Sequence, residues 1–177
     1  GRVLVQVSAL TERKGVLELA KAFLALSPDE RRGAKLLFVG DGELRERLEA
    51  LAAESSGSVR VLGQLPPEEV RRVLWAADAF VLNTRLDPNP ISAIEAAAAG
   101  LPVVMSAAAG NIQEIVEAPR AGIVITDPAD PTEAIRAVLA VSDVELIAMG
   151  ARAEGVARSH FDATAVARSL VKQLYPS

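Results

Sequence analysis

The sequence predicts an α/β fold in which a doubly wound parallel sheet of six strands is covered by helices on both faces. Short continuous apolar segments alternate with segments of helical period along nearly the whole chain, a pattern typical of parallel sheets. The chain has 177 residues, half of them apolar, which is the size and the core material of one domain. Gly, Pro and acidic residues follow several strands, at the edge where such sheets bind ligands.

Apolar runs predict three strands in the first half of the chain. They are 3–8 (VLVQVS), 35–40 (KLLFVG) and 59–63 (VRVLG). The helical period of the apolar residues predicts helices at 15–26, 43–55 and 66–77. The last of these begins with prolines and acids, which suit the N-terminus of a helix.

The second half of the chain continues the alternation. Its strands are predicted at 79–83, 102–106 and 122–125. Segments 91–99 and 111–116 lie between them, and helical patterns follow residues 127–141, so that C-terminal helices at about 143–175 close the domain. Apolar strands alternating with helices indicate parallel strands joined by crossovers. We expect residues 1–177 to form a single domain.

Composition excludes several classes of protein. A formal net charge of −4 leaves no basic face, which argues against a nucleic-acid binder. The chain has no cysteine, so it has neither disulfides nor thiolate metal ligands, which fits a reducing compartment. Neither a dinucleotide fingerprint nor a P-loop motif is present. We find no signal-like start, no apolar run of membrane-spanning length and no cluster of metal-ligating residues. The strand-like start predicts an excised domain.

The segment 87–95, with sequence DPNPISAIE, follows a predicted strand and opens a helix. Pro88 and Pro90 fix the backbone that leads into this helix. The N–H groups of about Ile91 to Ala93 would then point outward at the positive end of the helix dipole. Such a helix N-terminus is a ready anion site.

Asp87 and Glu95 lie on the two sides of this anion site. Carboxylates can accept hydrogen bonds from sugar hydroxyls, so the layout suits a ligand with hydroxyls at both ends and phosphate between them. A nucleotide sugar has that layout. The spacing alone is explained somewhat more simply by Asp87 as the helix cap and Glu95 as a solvated helix residue.

Two further segments follow predicted strands. Arg13 and Lys14 precede a helix, where a lysine can meet a phosphate, although a solvated pair in a loop explains them equally well. Gly40 and Gly42 flank Asp41. These glycines allow a ligand to approach the backbone closely, or they simply form a tight turn, which is the commoner explanation.

Six segments, in order, resemble the C-terminal half of retaining glycosyltransferases with the GT-B fold, of group 1 or family 4. VSALTERKG is similar to the family's V-G-R-L-x-x-E-K-G, and LLFVGDGELRERLEALA to its strand, G-[DE]-G turn and helix. VRVLGQLPPEEVRRVLWAADAFVLNTR resembles the segment that ends in P-S-R. DPNPISAIEAAAAGLPVVMS resembles the E-x7-E segment, GNIQEIV the G-G-x-x-E-I-[VI] motif, and FDATAVARSLVKQLY the closing helix.

The resemblance implies a Rossmann-like domain, one half of a GT-B fold, and assigns roles by position. It implies three catalytic-site residues: Lys14 grips the donor diphosphate, Asp87 contacts the donor sugar, and Glu95 binds the ribose hydroxyls. Asp87 is one methylene shorter than the family's glutamate. The remaining donor-binding positions are the backbone at Asn89, Pro90, Ile91 and Ser92 on the phosphates, Gly63, Gln64 and Leu65 beside the base, and Ser8, Arg13 and Gly40 around the diphosphate.

Two departures from the family pattern concern the donor. The family's Gly-Arg is Ser8-Ala9 here, so the second cation on the diphosphate is absent. Arg13 or Arg85 could replace that cation. The family's Gly-Phe-Gly is Pro88-Asn89-Pro90, which replaces flexible glycines by prolines that lack an N–H donor.

The resemblance therefore implies the donor-binding domain of a retaining, metal-independent glycosyltransferase. The complete enzyme would transfer a hexosyl group from a UDP-, GDP- or ADP-sugar to a glycan or lipid-linked acceptor, making a cell-surface polysaccharide or glycolipid. No other cofactor is implied. The acceptor pocket belongs to an N-terminal domain that this chain lacks, so we expect the isolated chain to be inactive. We expect a cytoplasmic protein, with peripheral contact with the inner face of the membrane left open.

Two alternatives remain. One is a degenerate GT-B domain that serves as a binding or scaffolding module, which Ser8-Ala9 favours and which Lys14, Asp87 and Glu95 oppose. The other is a different GT-B enzyme, such as a sugar-nucleotide epimerase or a phosphorylase. The histidine and acid set of the former and the cofactor lysine of the latter are not visible in the sequence.

Overall fold

Six parallel strands form one sheet in a computed structural model that describes residues 1–161. The strands are β1 (Val3–Val7), β2 (Lys35–Val39), β3 (Val59–Val61), β4 (Ala79–Leu82), β5 (Val103–Ser106) and β6 (Gly122–Ile125). Their order is β3-β2-β1-β4-β5-β6, and each neighbouring pair is parallel. The predicted fold class is confirmed, and each strand lies within two residues of its predicted bounds.

Seven α-helices belong to the part of the chain that the structure describes. They are α1 (Val16–Ala25), α2 (Pro28–Arg31), α3 (Arg45–Glu54), α4 (Pro67–Ala76), α5 (Ile91–Ala98), α6 (Thr132–Ala140) and α7 (Asp143–Val156). A 3₁₀ turn forms at Glu12–Lys14, and π-helical turns form at Gln113–Glu117 and Ala157–Phe161. The four-residue helix α2 was not predicted. Most of the predicted closing helix lies outside the described residues.

Helices cover both faces of the sheet. Because successive side chains of a strand point to opposite faces, Leu4 and Val5 of β1 enter different core clusters. The cluster around Leu4 includes buried residues of α1, α3 and α6. The cluster around Val5 includes residues of α4 and α5. Helix α5 buries alanines at 93, 96 and 97 completely, so it can lie close to the strands beneath it.

The strand order places a crevice between the loops that follow β1 and β4. These two strands are neighbours, with Leu4 beside Ala79 and Val5 beside Phe80. The chain leaves β1 towards β2 and β3 and leaves β4 towards β5 and β6. Ligands of doubly wound sheets bind where the strand order reverses in this way, at the carboxyl ends of the strands.

No helix among residues 1–161 is long and apolar enough to cross a membrane.

Local hydrogen bonds explain the short helix α2. The Ser27 hydroxyl accepts a hydrogen bond from the Glu30 N–H at 3.3 Å, and the Glu30 carboxylate accepts one from the Ser27 N–H at 2.8 Å, which is a capping box. Arg136 of α6 donates to the same carboxylate at 2.7 Å. The Ser27 N–H, followed by Arg136, lowers the pKa of Glu30 from 4.5 to about 2. The carboxylate therefore joins α2 to α6.

This lowered pKa makes stability depend on pH. Because the pKa of Glu30 is lower in the folded chain than its ordinary value of 4.5, the ionised group contributes stability that is fully present above pH 4.5. That contribution is lost as the pH falls through about 2. We expect Glu30→Gln to remove part of the fall in urea midpoint between pH 4.5 and the lowest pH at which the chain folds. Glu46→Gln, on the exposed side of α3, is the matched control. Identical pH profiles for wild type and Glu30→Gln would contradict this account.

Candidate functional site

A buried ion pair lies at the crevice between β1 and β4. Lys14 belongs to the 3₁₀ turn after β1, and Asp87 follows β4, 73 residues later. The Lys14 ammonium donates a hydrogen bond to the Asp87 carboxylate, and each side chain is only 11% exposed. Two residues that were predicted to bind the donor therefore contact each other directly.

Asp87 is fixed through its backbone to the loop after β5. It forms an isolated parallel bridge with Ala109, and its carbonyl accepts a hydrogen bond from the Gly110 N–H at 2.8 Å. A Cβ on Gly110 would lie 2.0 Å from the Pro88 carbonyl oxygen, so only glycine fits there. Helix α5 begins later, after Pro90, without a side-chain cap. The interpretation of Asp87 as the helix cap is therefore wrong.

The N-terminus of α5 leaves two of the three predicted backbone donors, those of Ile91 and Ser92, whereas the prediction that the Ala93 N–H points outward is wrong. Pro90 precedes the helix, and the Ala93 N–H turns back to the Pro90 carbonyl at 3.1 Å. The N–H groups of Ile91 and Ser92 precede the helical ladder, and such groups need partners outside the helix. Asn89 lies beside this start, where its side-chain oxygen accepts a hydrogen bond from Asn111 at 3.3 Å.

Glu95 lies on the wall of a mostly apolar cavity of about 420 Å³ between α4 and α5. The cavity is lined by Val7, Leu65, Pro67, Val70, Arg71, Leu74, Trp75, Glu95, Ala98 and Ala99. Glu95 is exposed, and within residues 1–161 its carboxylate makes no ion pair. The carboxylate can therefore accept hydrogen bonds from a ligand in the cavity.

A second cavity of about 320 Å³ adjoins the first. Both are lined by Val7, Leu65 and Val70, and we call these two neighbouring cavities the cleft. Three more of the predicted donor-binding residues line the second cavity, namely Ser8, Gly40 and Gln64. The cleft therefore brings together predicted residues from the loops after β1, β2 and β3.

Glycines allow these loops to touch. Gly40 has φ +138°, and a Cβ there would lie 1.9 Å from the Ser8 carbonyl oxygen. The Gly40 N–H donates to the carbonyl of Gly63 at 2.8 Å, and Gly63 has φ +72°. The Gly42 N–H donates to the Asp41 carboxylate at 2.7 Å, so a tight turn accounts for Asp41 and Gly42.

The two candidate replacements for the absent arginine differ in their contacts. The Arg13 guanidinium donates to the Leu86 carbonyl at 3.2 Å, which places it beside the segment that carries Asp87. Arg85 forms an ion pair with Glu18 of α1 at 2.9 Å. Arg13 is therefore attached to the site, whereas Arg85 is directed towards α1.

Buried polar side chains near Lys14 were not predicted to belong to the site. Gln6, Asn83 and Thr84 are completely buried. Their sequence signal is a polar residue inside or directly after an otherwise apolar strand. No cluster of three or more His, Cys, Asp or Glu side chains forms among the residues that the structure describes.

Comparison with known proteins gives a family match and curated relatives. The protein-family model described as glycosyl transferases group 1 matches residues 1–153 of this chain. An uncharacterised glycosyltransferase of Methanocaldococcus jannaschii is 33% identical over 66% of this chain and 30% of its own length. The GDP-mannose-dependent monoacylated alpha-(1-6)-phosphatidylinositol monomannoside mannosyltransferase of Corynebacterium glutamicum is 34% identical over 67% of this chain and 32% of its own length. The chain thus spans about a third of the length of these relatives.

Solved structures share the fold. WaaG, a glycosyltransferase involved in lipopolysaccharide biosynthesis, matches 99% of this chain and 47% of its own with a TM-score of 0.78 and 24% identity. Anabaena HepE in complex with UDP and glucose matches 98% of this chain and 48% of its own with a TM-score of 0.79 and 21% identity. These similarities confirm the Rossmann-like half of a GT-B fold.

The buried ion pair yields a prediction about stability. Lys14→Met leaves the Asp87 carboxylate buried without its cation. Asp87→Leu leaves the Lys14 ammonium buried without its anion. Each single variant should lose about 3–5 kcal/mol in free energy of unfolding, whereas the double variant should recover most of that loss. Urea denaturation of the four proteins measures the coupling. Two single losses that simply add in the double variant would contradict a direct interaction.

Proposed function

Because the chain belongs to the group 1 glycosyltransferases, we propose that it is the domain of such an enzyme that binds the nucleotide-sugar donor. The observation that carries this proposal is the arrangement at one crevice. The Lys14–Asp87 pair, the N-terminus of α5 and Glu95 on the same helix all belong to segments that follow the neighbouring strands β1 and β4, the edge at which a doubly wound sheet binds ligands.

The donor diphosphate fits between Lys14 and α5. Backbone N–H groups of Ile91 and Ser92 supply donors at the positive end of the helix, and the Lys14 ammonium supplies a full positive charge. Since the ammonium pairs with Asp87, the bound diphosphate shares or replaces that contact. Asp87 is then available to accept a hydrogen bond from a hydroxyl of the donor sugar.

We assign the nucleoside to the cleft. Glu95 accepts hydrogen bonds from the two ribose hydroxyls, and the base lies against the loop that contains Gly63, Gln64 and Leu65. The apolar wall of the cleft, including Leu65 and Val70, suits the face of a base because burying apolar surface is favourable.

In the complete enzyme, this domain would support metal-independent transfer of a hexosyl group with retention of configuration. When the bond between sugar and diphosphate breaks, negative charge grows on the departing phosphate. We assign stabilisation of that charge to Lys14 and the N–H groups of α5, since fixed donors lower the barrier because they need no reorganisation. This chain supplies the electrostatic part of the reaction.

The acceptor is assigned to the part of the enzyme outside this chain. The aligned part of this chain covers only about a third of each of these curated relatives, which leaves room for an N-terminal domain that binds a glycan or a lipid-linked acceptor. The Corynebacterium relative acts on a phosphatidylinositol mannoside, and WaaG acts in lipopolysaccharide biosynthesis. We therefore assign this protein to synthesis of a cell-surface polysaccharide or glycolipid in the cytoplasm, at the membrane's inner face for a lipid-linked acceptor. The isolated chain would bind the donor without transferring its sugar.

A second candidate function is a degenerate binding module. Its support is that Ser8-Ala9 stands in place of the family's Gly-Arg and that Arg85 is held by Glu18. Such a module would keep the fold and lose affinity for the donor, so a nucleotide titration separates the two functions.

Calorimetric titration with UDP, GDP and ADP tests the proposed function. The names of the relatives include both a GDP-mannose-dependent enzyme and a protein crystallised with UDP and glucose, so both bases belong in the test. One of the three nucleotides should bind most tightly. Glu95→Ala should weaken that binding by about tenfold to a hundredfold, because it removes charge-assisted hydrogen bonds.

Glu54→Ala is the matched control, because it removes the same charge from an exposed position on α3. It should leave the affinity for nucleotide unchanged. If a folded wild-type chain binds none of the three nucleotides, the degenerate module is the better account. Equal losses in Glu95→Ala and Glu54→Ala would remove Glu95 from the site.

A further inference from the structure

Three completely buried polar side chains hold the backbone of the Lys14 turn. Gln6 donates to the Lys14 carbonyl at 2.9 Å, and Asn83 donates to the Gly15 carbonyl at 3.1 Å. The Thr84 hydroxyl donates to the Arg13 carbonyl at 3.2 Å. Three consecutive carbonyls therefore each accept a hydrogen bond from a buried side chain of β1 or of the segment after β4. We call Gln6, Asn83 and Thr84 the turn clamp.

Both amides also make a second hydrogen bond that extends the turn clamp. The Gln6 amide nitrogen donates to the Ser8 hydroxyl at 3.0 Å, so the serine that departs from the family pattern joins the network. The Asn83 amide nitrogen donates to the Pro128 carbonyl at 2.9 Å. These bonds connect the Lys14 turn to β1, to the segment after β4 and to the loop after β6.

The side-chain oxygen atoms of Gln6 and Asn83 indicate that these amides are present to hold the turn. Gln6 Oε1 and Asn83 Oδ1 are buried and have no hydrogen-bond partner among the described residues. A buried acceptor without a partner is unfavourable, and an apolar side chain would fill either position without that loss. The amide nitrogens of Gln6 and Asn83 donate hydrogen bonds to the turn. Holding the turn therefore accounts for amide side chains at these two positions.

The backbone around Gly15 shows how close this contact is. Gly15 adopts φ +57°, and a Cβ there would lie 2.2 Å from the carbonyl oxygen of Asn83. The residue after Lys14 therefore lies directly against the segment after β4. The glycine lets the clamp amide reach its carbonyl.

We propose that Gln6, Asn83 and Thr84 are positioning residues that hold Lys14 against the donor diphosphate. The inference rests on the proposed function, because it needs a diphosphate at Lys14. A lysine side chain has a long flexible stem, and in the structure Asp87 holds its tip. When a diphosphate takes the ammonium, that contact weakens, and the clamp on the backbone remains to keep the charge in place. Because Ala9 replaces the family's arginine, this one lysine has to be placed well.

A double-mutant cycle tests the clamp through the affinity for the diphosphate relative to that for the nucleoside, a ratio that a general loss of stability does not change. Gln6→Met keeps an unbranched side chain of similar length and removes the donor. NMR titration with UDP, GDP or ADP, whichever the wild type binds, and with the corresponding nucleoside gives both affinities. Gln6→Met should weaken the diphosphate about tenfold, since 1.4 kcal/mol corresponds to a factor of ten, and should leave the nucleoside unchanged. In a Lys14→Ala background, Gln6→Met should cause no further loss.

Thr84→Val is a second variant for the case that Gln6→Met does not fold, because it removes one clamp hydroxyl and keeps the shape of the side chain. Ser55→Ala is the control. Ser55 is also a buried polar residue, with hydrogen bonds to Ala52 and Val59, but it lies before β3 and away from the turn. It should lower stability without changing either affinity.

Three results would overturn the clamp while the wild type binds a nucleoside diphosphate. They are wild-type affinity in folded clamp variants, equal losses for diphosphate and nucleoside, and the same loss with and without Lys14. If the wild type binds no nucleoside diphosphate, the proposed function fails and the clamp fails with it. Failure of the clamp alone is therefore distinguishable from failure of the function.

Discussion

The arrangement of this site depends on one buried ion pair. Lys14 and Asp87 come from loops 73 residues apart in sequence, and both side chains are almost completely buried. An isolated buried charge is strongly unfavourable, so the folded chain must bring the ends of β1 and β4 together. The 3₁₀ turn that carries Lys14 and the bridge from Asp87 to Ala109 give the two charges fixed positions. The fold thereby holds the Lys14 ammonium in a fixed position, where we propose that the donor diphosphate binds.

The backbone around the pair is packed so closely that side chains are excluded at several positions. Cβ atoms on Gly15, Gly40 and Gly110 would each lie within 2.2 Å of a backbone oxygen of a neighbouring loop. These contacts join the loops after β1, β2, β4 and β5 into one rim. Fixed dipoles stabilise charge best when they do not have to reorganise. The close packing of the rim is thus the structural counterpart of the electrostatic role that we assign to Lys14 and α5.

The sequence predicts the sheet well because apolar strands such as 79–83 have a strong and simple pattern. It also predicts that Lys14 and Asp87 lie at one edge, since the ends of parallel strands meet there. It does not predict their direct contact, nor the bridge that makes Asp87 something other than a helix cap, because both join segments far apart in the chain. Gln6 was missed because a single polar residue in an apolar strand does not indicate which group its side chain hydrogen-bonds. The short helix α2 was missed because a capping box, rather than an apolar period, defines it.

The central claim is that the Lys14 ammonium binds the donor diphosphate, and ¹⁵N NMR of the lysine side chains tests it most directly. The chain has four lysines, so a Lys14→Arg variant identifies the relevant signal by its loss. Titration with the nucleoside diphosphate that binds should shift the Lys14 signal over the same concentrations at which the cleft fills, and the nucleoside alone should leave it unchanged. A nucleotide that fills the cleft while the Lys14 signal stays in place would contradict the claim.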